Sequence, residues 1–135
     1  MANIEITNNK TNGMVVWEPV YQDETLTAAG ALTYPAGTAL GRITTGAKLT
    51  HYASTPVAGA EGSEVIVAVL ANDVTFAGAG DAPIRALISG RVRASDITAW
   101  NSGTPAPLAI SEKEMLRDMT IIVQETEQLT SQDNQ

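Results

Sequence analysis

The stretch Glu64-Val65-Ile66-Val67-Ala68-Val69-Leu70 carries the strongest structural signal in the chain. Its apolar residues follow one another without polar positions between them, and most are β-branched. This pattern is typical of a strand buried on both faces, because a strand with one face in water alternates apolar and polar residues. We therefore expect residues 64–70 to form a core strand of a mostly β domain.

Shorter strand signals precede this run. Residues 38–43 and 47–52 have the composition of strands, and the Thr44-Thr45-Gly46 turn between them predicts a β-hairpin. Residues 53–63 are rich in Ser, Pro, Gly and Ala, which indicates a loop. The chain is therefore expected to pass from a hairpin through a loop into the buried strand.

More strands are predicted after the buried run. Residues 72–83 contain glycines and read as a long turn, and strands are expected over residues 84–88 and 91–94. The alternating geometry of a strand places Arg91 and Arg93 on one face and the valine between them on the other. Two prolines, Pro105 and Pro107, are then expected to break the chain.

The last predicted elements are a helix and a strand. Ser111 and Glu114 have the spacing of a capping box, in which the serine and the glutamate satisfy each other's free backbone amides. This spacing predicts a helix of about two to three turns that ends near Met119. Residues 120–123 read as a closing strand. The fold class predicted is mostly β, a small compact domain of mixed strands and hairpins with one short helix near the C-terminus.

The two ends of the chain differ from its middle. Residues 1–33 show no clear periodicity and are predicted to form an extended N-terminal arm. Residues 34–124 form the predicted β-rich domain. Residues 125–135 are polar and are predicted to form a flexible tail.

One short strand signal lies inside the predicted arm. It consists of Val15, Val16, Trp17, Glu18, Pro19 and Val20. Proline cannot donate a hydrogen bond to a neighbouring strand, so this segment belongs on a sheet edge or outside the sheet. Such a segment is suited to β-augmentation, in which an added strand pairs with the edge of a partner's sheet. We expect these six residues to contact a partner protein.

Composition limits the function. The formal net charge is −7, and an acidic chain is repelled by nucleic-acid phosphates and by anionic membrane surfaces. No apolar run approaches the roughly 20 residues needed to span a bilayer. Aromatic residues make up only 4% of the chain, which predicts a thin core that association with other copies would help to stabilise.

The sequence carries no enzyme signature. Cysteine is absent, and His51 is the only histidine, so a zinc site would need three carboxylates beside it. Asp73 and Asp81 flank a glycine-containing loop but lack the dense ligand ladder of a calcium loop. We expect a structural or solvated His51, no metal or cofactor, and no catalytic activity.

Four side chains are candidates for interfaces. Arg91 and Arg93 fit either a solvated strand face, which we favour, or a pair that binds carboxylates of a partner. Aromatic residues are enriched at interfaces, and Trp17 lies in an arm with little core to cover it. Trp100 fits an interface and ordinary core packing equally well.

Several segments together resemble one protein family. They are Glu24–Thr27, Tyr34–Thr44, Gly62–Leu70, Gly80–Pro83, Ala94–Ile97 with Trp100, and Ile121–Val123. In this order and spacing they resemble the head-decoration, or capsid-cement, proteins of lambda-like tailed phages. The resemblance covers roughly residues 24–123, whereas residues 1–20 and the polar tail depart from the family pattern.

The resemblance implies a function. Members of the family are β-rich homotrimers that bind the outer surface of the expanded phage head at three-fold junctions and stabilise it against internal DNA pressure. It also implies an N-terminal segment that pairs with a strand of the major capsid protein, and a location on the virion after synthesis in the host cytoplasm. Direct contact with nucleic acid or membrane is not expected.

A second hypothesis belongs to another class of protein. A phage tail or adhesin module that binds carbohydrate would also be small and β-rich. Sugar sites usually combine exposed aromatic rings with polar groups that set orientation, and the Trp and Tyr residues of this chain do not exclude such a site.

Overall fold

The computed structural model describes residues 15–101 and 104–124 of the chain. Most of the strands in this part lie in one sheet. Within these residues the structure is mostly β with a short helix near the C-terminus, which confirms the predicted fold class at that level. The strands are β1 (Val15–Ala28), β2 (Leu32–Tyr34), β3 (Ala39–Arg42), β4 (Leu49–His51), β5 (Ile66–Leu70), β6 (Val74–Phe76), β7 (Gly80–Arg93), β8 (Thr98–Asn101), β9 (Thr104–Pro107) and β10 (Ile121–Gln124). The helix α1 spans Ile110–Asp118, and a 3-10 turn spans Ala94–Asp96.

The main sheet closes on itself. Its strand order is β1-β4-β3-β5-β7-β10, and β1 also pairs with β7, so the first five strands form a ring. β1 and β7 are antiparallel along their length, starting from Val15 opposite Val92. The ring closes between β1 and β4 through one parallel pair, Leu26 and Leu49. β10 runs parallel to the C-terminal part of β7, outside the ring, and β2-β6 and β8-β9 form two small separate sheets.

The core strand predicted over residues 64–70 is confirmed as β5 over Ile66–Leu70, whereas Glu64 and Val65 precede the strand and are exposed. The strand lies between β3 and β7, and Ile66, Val69 and Leu70 have no exposed surface. Burying a side chain of this size contributes about 1.5–3 kcal/mol, so the short strand carries a large share of the core. The core has two clusters: the one with Ile66 and Val69 also contains Leu87, Val92, Leu116 and Ile121, and the one with Leu70 contains Leu26, Tyr34, Leu40, Leu49 and Phe76.

The prediction of a separate arm over residues 1–33 is wrong for residues 15–33. Residues 15–28 form β1, and Leu26 and Ala28 point into the core. β1 pairs with β7, which is far away in sequence, so no local periodicity reveals the pairing. Residues 1–14 and the predicted tail over residues 125–135 lie outside the described residues.

Pro19 lies at an irregular point of the sheet, as a strand proline requires. The register between β1 and β7 shifts between Trp17 and Val20, so that neither Glu18 nor Pro19 has a Cα partner in β7. Glu18 has a φ of 47°, in the left-handed region. Proline has no backbone N–H to donate to β7, and the bulge in β1 accommodates this.

Other local predictions met mixed outcomes. The hairpin is confirmed, because β3 and β4 are antiparallel with Leu40 opposite His51. The closing strand is confirmed as β10. The turn over residues 72–83 contains β6 and the start of β7, and the two strands predicted around Gly90 are one continuous strand. The two predicted proline breaks lie inside β9, which pairs with β8.

The helix is present, but its cap is not where the sequence placed it. α1 begins at Ile110, and the carboxylate of Glu112 accepts a hydrogen bond from the Ala109 backbone amide at 2.7 Å. The capping glutamate is therefore Glu112, which is 3% exposed, and the predicted pair of Ser111 and Glu114 lies within the helix on its exposed side. Glu112, two positions before the predicted Glu114, therefore serves as the capping residue, and its side chain is buried in that position.

Candidate functional site

Three strands bring the two ends of the described chain together. Val15 of β1 and Val123 of β10 both lie opposite Val92 of β7. β1 is antiparallel to β7 and β10 is parallel to it, so the chain enters through β1 and leaves through β10 at the same end of the sheet. We call residues 15–20, 89–93 and 121–124 the terminal end.

The terminal end joins two groups of residues that the sequence singled out separately. Arg91 lies opposite Trp17 of β1 on one side and opposite Ile122 of β10 on the other. Arg91 is exposed and Ile122 is 40% exposed, whereas Val92 is fully buried, which confirms the predicted alternation. Arg93 is half-buried, and its guanidinium lies 3.7 Å from the Asp96 carboxylate.

The predicted contact segment is an irregular part of β1. Glu18, Pro19 and Val20 are exposed, with Val20 at 49%. The side chains of Val15, Val16 and Trp17 lie outside the described part of the structure. For these three residues the structure therefore gives only the position of the backbone. One edge of this segment pairs with β7, and no described strand pairs with its other edge.

β10 also has one edge without a partner strand among the described residues. The terminal end is therefore a three-stranded sheet whose two outer edges are both open. Open edges bind other strands, and bulges and prolines are features that limit such pairing. β1 carries both features here, whereas the register of β10 against β7 is regular.

Trp100, the remaining interface candidate, lies in an aromatic cluster on another sheet. Its ring contacts Tyr34 edge to face at a centroid distance of 5.4 Å and lies 5.7 Å from the ring of His51. It packs against the second core cluster, as the core alternative predicts. Its indole Nε1 is buried without a hydrogen-bond partner, so a polar group in this cluster is unsatisfied by the protein.

His51 is held in the same cluster. Its Nδ1 lies 2.6 Å from the Tyr34 hydroxyl. Burial lowers the pKa of His51, and burial raises the pKa of Tyr34 against the opposing effect of a hydrogen bond with Thr50. Both groups are therefore neutral near pH 7, and which of the two donates the hydrogen bond between them depends on the imidazole tautomer.

The other sequence candidates for chemistry have structural partners. The carboxylate of Asp73 accepts a hydrogen bond from the Ala36 amide at 2.8 Å, and Asp81 pairs with Lys48 at 2.5 Å. Within residues 15–101 and 104–124 no three histidine or carboxylate side chains lie together as a metal-binding group. None of the described helices is long and apolar enough to cross a membrane.

A groove that the sequence did not predict lies beside the aromatic cluster. It has a volume of about 600 Å³ and is lined by the end of β1, parts of β2 and the hairpin, and the loop over residues 53–63. We call it the apolar groove. Its signal in the sequence was weak, because a loop of Ala, Pro, Gly and Ser has no periodicity that indicates burial.

No protein-family model matches the chain, and a search of curated proteins finds none that is similar.

Proposed function

We propose that this protein decorates the outside of an expanded phage head, where it binds at three-fold junctions as a homotrimer and stabilises the shell. Its partner is the major capsid protein, and it needs no cofactor and performs no catalysis. The proposal joins the resemblance over residues 24–123 to the geometry of the terminal end. The observation that carries it is that Val15 and Val123 flank the same residue, Val92.

That arrangement favours attachment at one end. Both chain segments beyond the described residues connect to the terminal end, so contacts made by either segment would reinforce each other there. Pairing of an extra strand supplies backbone hydrogen bonds, and nearby side chains set the register. Residues 15–20 keep an outer edge for this purpose, since β7 occupies the inner one, although their bulge and proline shorten the stretch that can pair.

Two arginines of the terminal end would assist this attachment. Arg91 is exposed in the middle of the terminal end, and Arg93 lies two residues further along the same face. Arginine binds carboxylates well because its planar guanidinium can form two parallel hydrogen bonds. A partner carboxylate near Arg91 would add specificity to backbone pairing, and the alternative of a merely solvated strand face predicts no such effect.

Three copies make the attachment multivalent. A weak contact by one protomer becomes tight when three contacts on one trimer bind together, because the second and third are effectively intramolecular. Each contact must still offset the cost of ordering a chain segment, so the coat strand has to be formed beforehand. We therefore propose that the trimer binds expanded heads and not unexpanded ones.

Co-sedimentation with phage heads tests this function. Purified full-length protein is mixed with expanded and with unexpanded empty heads, beside a chain that begins at Val15 and keeps β1 intact. We expect the full chain to sediment with expanded heads only, and the shortened chain, which keeps residues 15–20, to do the same. Comparable binding to both kinds of head would contradict the proposed mechanism.

A charge reversal tests the terminal end itself. Arg91→Glu should weaken binding to expanded heads, and Arg85→Glu is the matched control because Arg85 is exposed on the same strand but outside the terminal end. Equal effects of the two substitutions would exclude a specific role for Arg91. If no version of the protein binds heads, the carbohydrate-binding alternative becomes the better hypothesis, and a glycan array tests it.

A further inference from the structure

The ring of strands has its shortest pairing between β1 and β4, and we call this contact the seam. Within the described residues the two strands share one residue pair, Leu26 opposite Leu49, whereas every other pairing in the ring joins two or more. Backbone pairing holds neighbouring strands together, so a seam of one pair contributes little by itself. Both leucines are fully buried, so the seam nevertheless covers part of the core.

Arg42 spans the seam. It belongs to β3, and β4 lies between β3 and β1, so its guanidinium reaches across two strand spacings, roughly 10 Å in total. Its Nη1 and Nη2 donate to the two carboxylate oxygens of Glu24 in β1, at 3.2 and 3.0 Å. Nη1 also donates to the Ala47 carbonyl oxygen at 2.7 Å, in the turn of the hairpin. Arg42 therefore ties the hairpin to β1 through a bidentate ion pair, the stronger kind of charged hydrogen bond.

The Glu24 carboxylate is largely shielded from water. Its side chain is 13% exposed, and its Oε2 also accepts a hydrogen bond from the Gln22 side-chain amide at 2.7 Å. The hydrogen bond from Arg42 is the main cause that holds the pKa of Glu24 below its ordinary value, against the opposing effect of burial. A shielded carboxylate that loses its cation keeps the cost of desolvation without the compensating charge. Movement of β1 away from β4 returns this carboxylate to water, so loss of the ion pair favours opening of the seam.

A second ion pair beside the seam is exposed. Lys48, directly before β4, lies 2.5 Å from the carboxylate of Asp81 in β7, and the two side chains are 45% and 43% exposed. Asp81 lies opposite Thr27 of β1. Exposed ion pairs contribute little to stability, because water and salt screen them. This pair therefore offers a comparison in which a cation at the same seam can be removed at little cost.

We propose that the seam is a latch held by the ion pair of Arg42 and Glu24, and that the ring opens there in a local step that precedes global unfolding. Opening frees one edge of β4 and uncovers the two leucines of the seam. Residues 27–28 and 50–51 follow the single residue pair, are not paired with each other, and line the apolar groove. The shape of the groove therefore depends on the latch. This inference does not rest on capsid decoration.

Single cysteines measure the opening, because the chain contains no cysteine of its own. Leu49→Cys places a thiol at a fully buried position of the seam, and Leu87→Cys places one in β7, where β1 and β5 pair on both sides. The full chain is labelled with iodoacetamide, and each rate is divided by the rate of the same variant in urea. The thiol at position 49 should react at least tenfold faster than the thiol at position 87. Equal rates would show that the seam opens only when the whole protein unfolds, which would overturn the proposal.

Two substitutions that each remove one cation test what holds the latch. In the Leu49→Cys chain, Arg42→Gln should accelerate labelling at least tenfold, whereas Lys48→Gln should accelerate it less than threefold. In the Leu87→Cys chain, Arg42→Gln should have the smaller effect, so the ratio of the rates at the two positions should rise. Equal effects of the two substitutions at the seam, or an equal effect of Arg42→Gln at both thiols, would overturn the proposal.

Amide hydrogen exchange measures the same opening without any cysteine, so the test does not require the cysteine variants to fold. After correction for intrinsic rates, the Leu49 amide of the full chain should exchange at least tenfold faster than the Leu87 amide, because local opening requires less free energy than global unfolding. Arg42→Gln should widen this difference. Equal protection of the two amides would contradict a local opening at the seam.

Discussion

The Tyr34 hydroxyl lies 2.6 Å from Nδ1 of His51, between two strands that are not hydrogen-bonded to each other. Tyr34 belongs to β2 and His51 to β4, so the bond ties the hairpin to the small β2-β6 sheet. Phe76 and Trp100 pack against the Tyr34 ring, at centroid distances of 6.1 and 5.4 Å. This apolar setting explains why the imidazole is held in its neutral form.

The first prediction is that stability falls as the pH drops below about 6.5. Burial lowers the pKa of His51 from its ordinary 6.5 in the folded protein only. Between that value and the lower folded-state pKa, the unfolded chain binds a proton that the folded chain does not, so acidification favours unfolding. Urea unfolding at pH 8, 6.5 and 5 measures the effect.

A variant without the imidazole isolates this contribution. His51→Phe removes the titrating group and should flatten the pH dependence between pH 5 and 8, whatever its own stability. The carboxylates with a lowered pKa, Glu24 and Asp81, titrate below this window. If the wild type and His51→Phe lose stability equally on acidification, His51 is not the group responsible.

The second prediction concerns the helix cap. Glu112→Ala should lower the free energy of unfolding by about 2–3 kcal/mol, because it removes a buried charged acceptor from the Ala109 amide. Glu114→Ala, at the position that the sequence predicts for capping, should cost less than about 0.5 kcal/mol because that side chain is exposed. Chemical denaturation of both variants measures the difference, and equal costs would contradict the observed cap.

The same glutamate has a second signature. Burial, together with the charge of Glu112 and a hydrogen bond to it, raises the pKa of Tyr52 to about 12. Ultraviolet titration of the tyrosines should therefore show a phenol that ionises late in the wild type and earlier in Glu112→Ala. An unchanged titration would mean that Glu112 does not contact Tyr52.

The third prediction uses two glycines with similar backbone conformations. Gly62 has a φ of +102°, and a Cβ there would lie 2.5 Å from the Arg42 carbonyl oxygen. Gly46 has a φ of +92°, but a Cβ there meets nothing within 4 Å. Gly62→Ala should lower the free energy of unfolding by at least about 2 kcal/mol more than Gly46→Ala. Both substitutions strain the backbone, and only the first also adds a steric clash. Similar melting temperatures for the two variants would show that the loop packs less closely than described.

The fourth prediction concerns the boundary of the folded unit. A chain that begins at Tyr34 should not fold, because it lacks β1 and with it the partner strand of β7 and the core residue Leu26. A chain that begins at Val15 should unfold cooperatively. Circular dichroism and the dispersion of amide NMR signals distinguish the two. If a chain that begins at Tyr34 folds well, residues 1–33 are not needed for the fold and form a separate arm, as the sequence predicts.

Much of the fold could be predicted because local sequence patterns report how a segment is buried. The uninterrupted apolar run made β5 recognisable, and the turn at Thr44-Thr45-Gly46 revealed the hairpin. The position of Val92 between Arg91 and Arg93 indicated the two faces of β7 correctly. These features need only neighbouring residues to be defined.

The sequence by itself thus determined the mostly β class, the buried strand and the closing strand. Only the tertiary structure decided that residues 15–28 belong to the sheet, because their polar outer positions look like a loop until β7 pairs with them. It also decided the cap at Glu112, which burial selects, and the meeting of Val15, Val92 and Val123 at one end. Strand pairing and groove formation join residues far apart in sequence, and no local periodicity encodes such contacts.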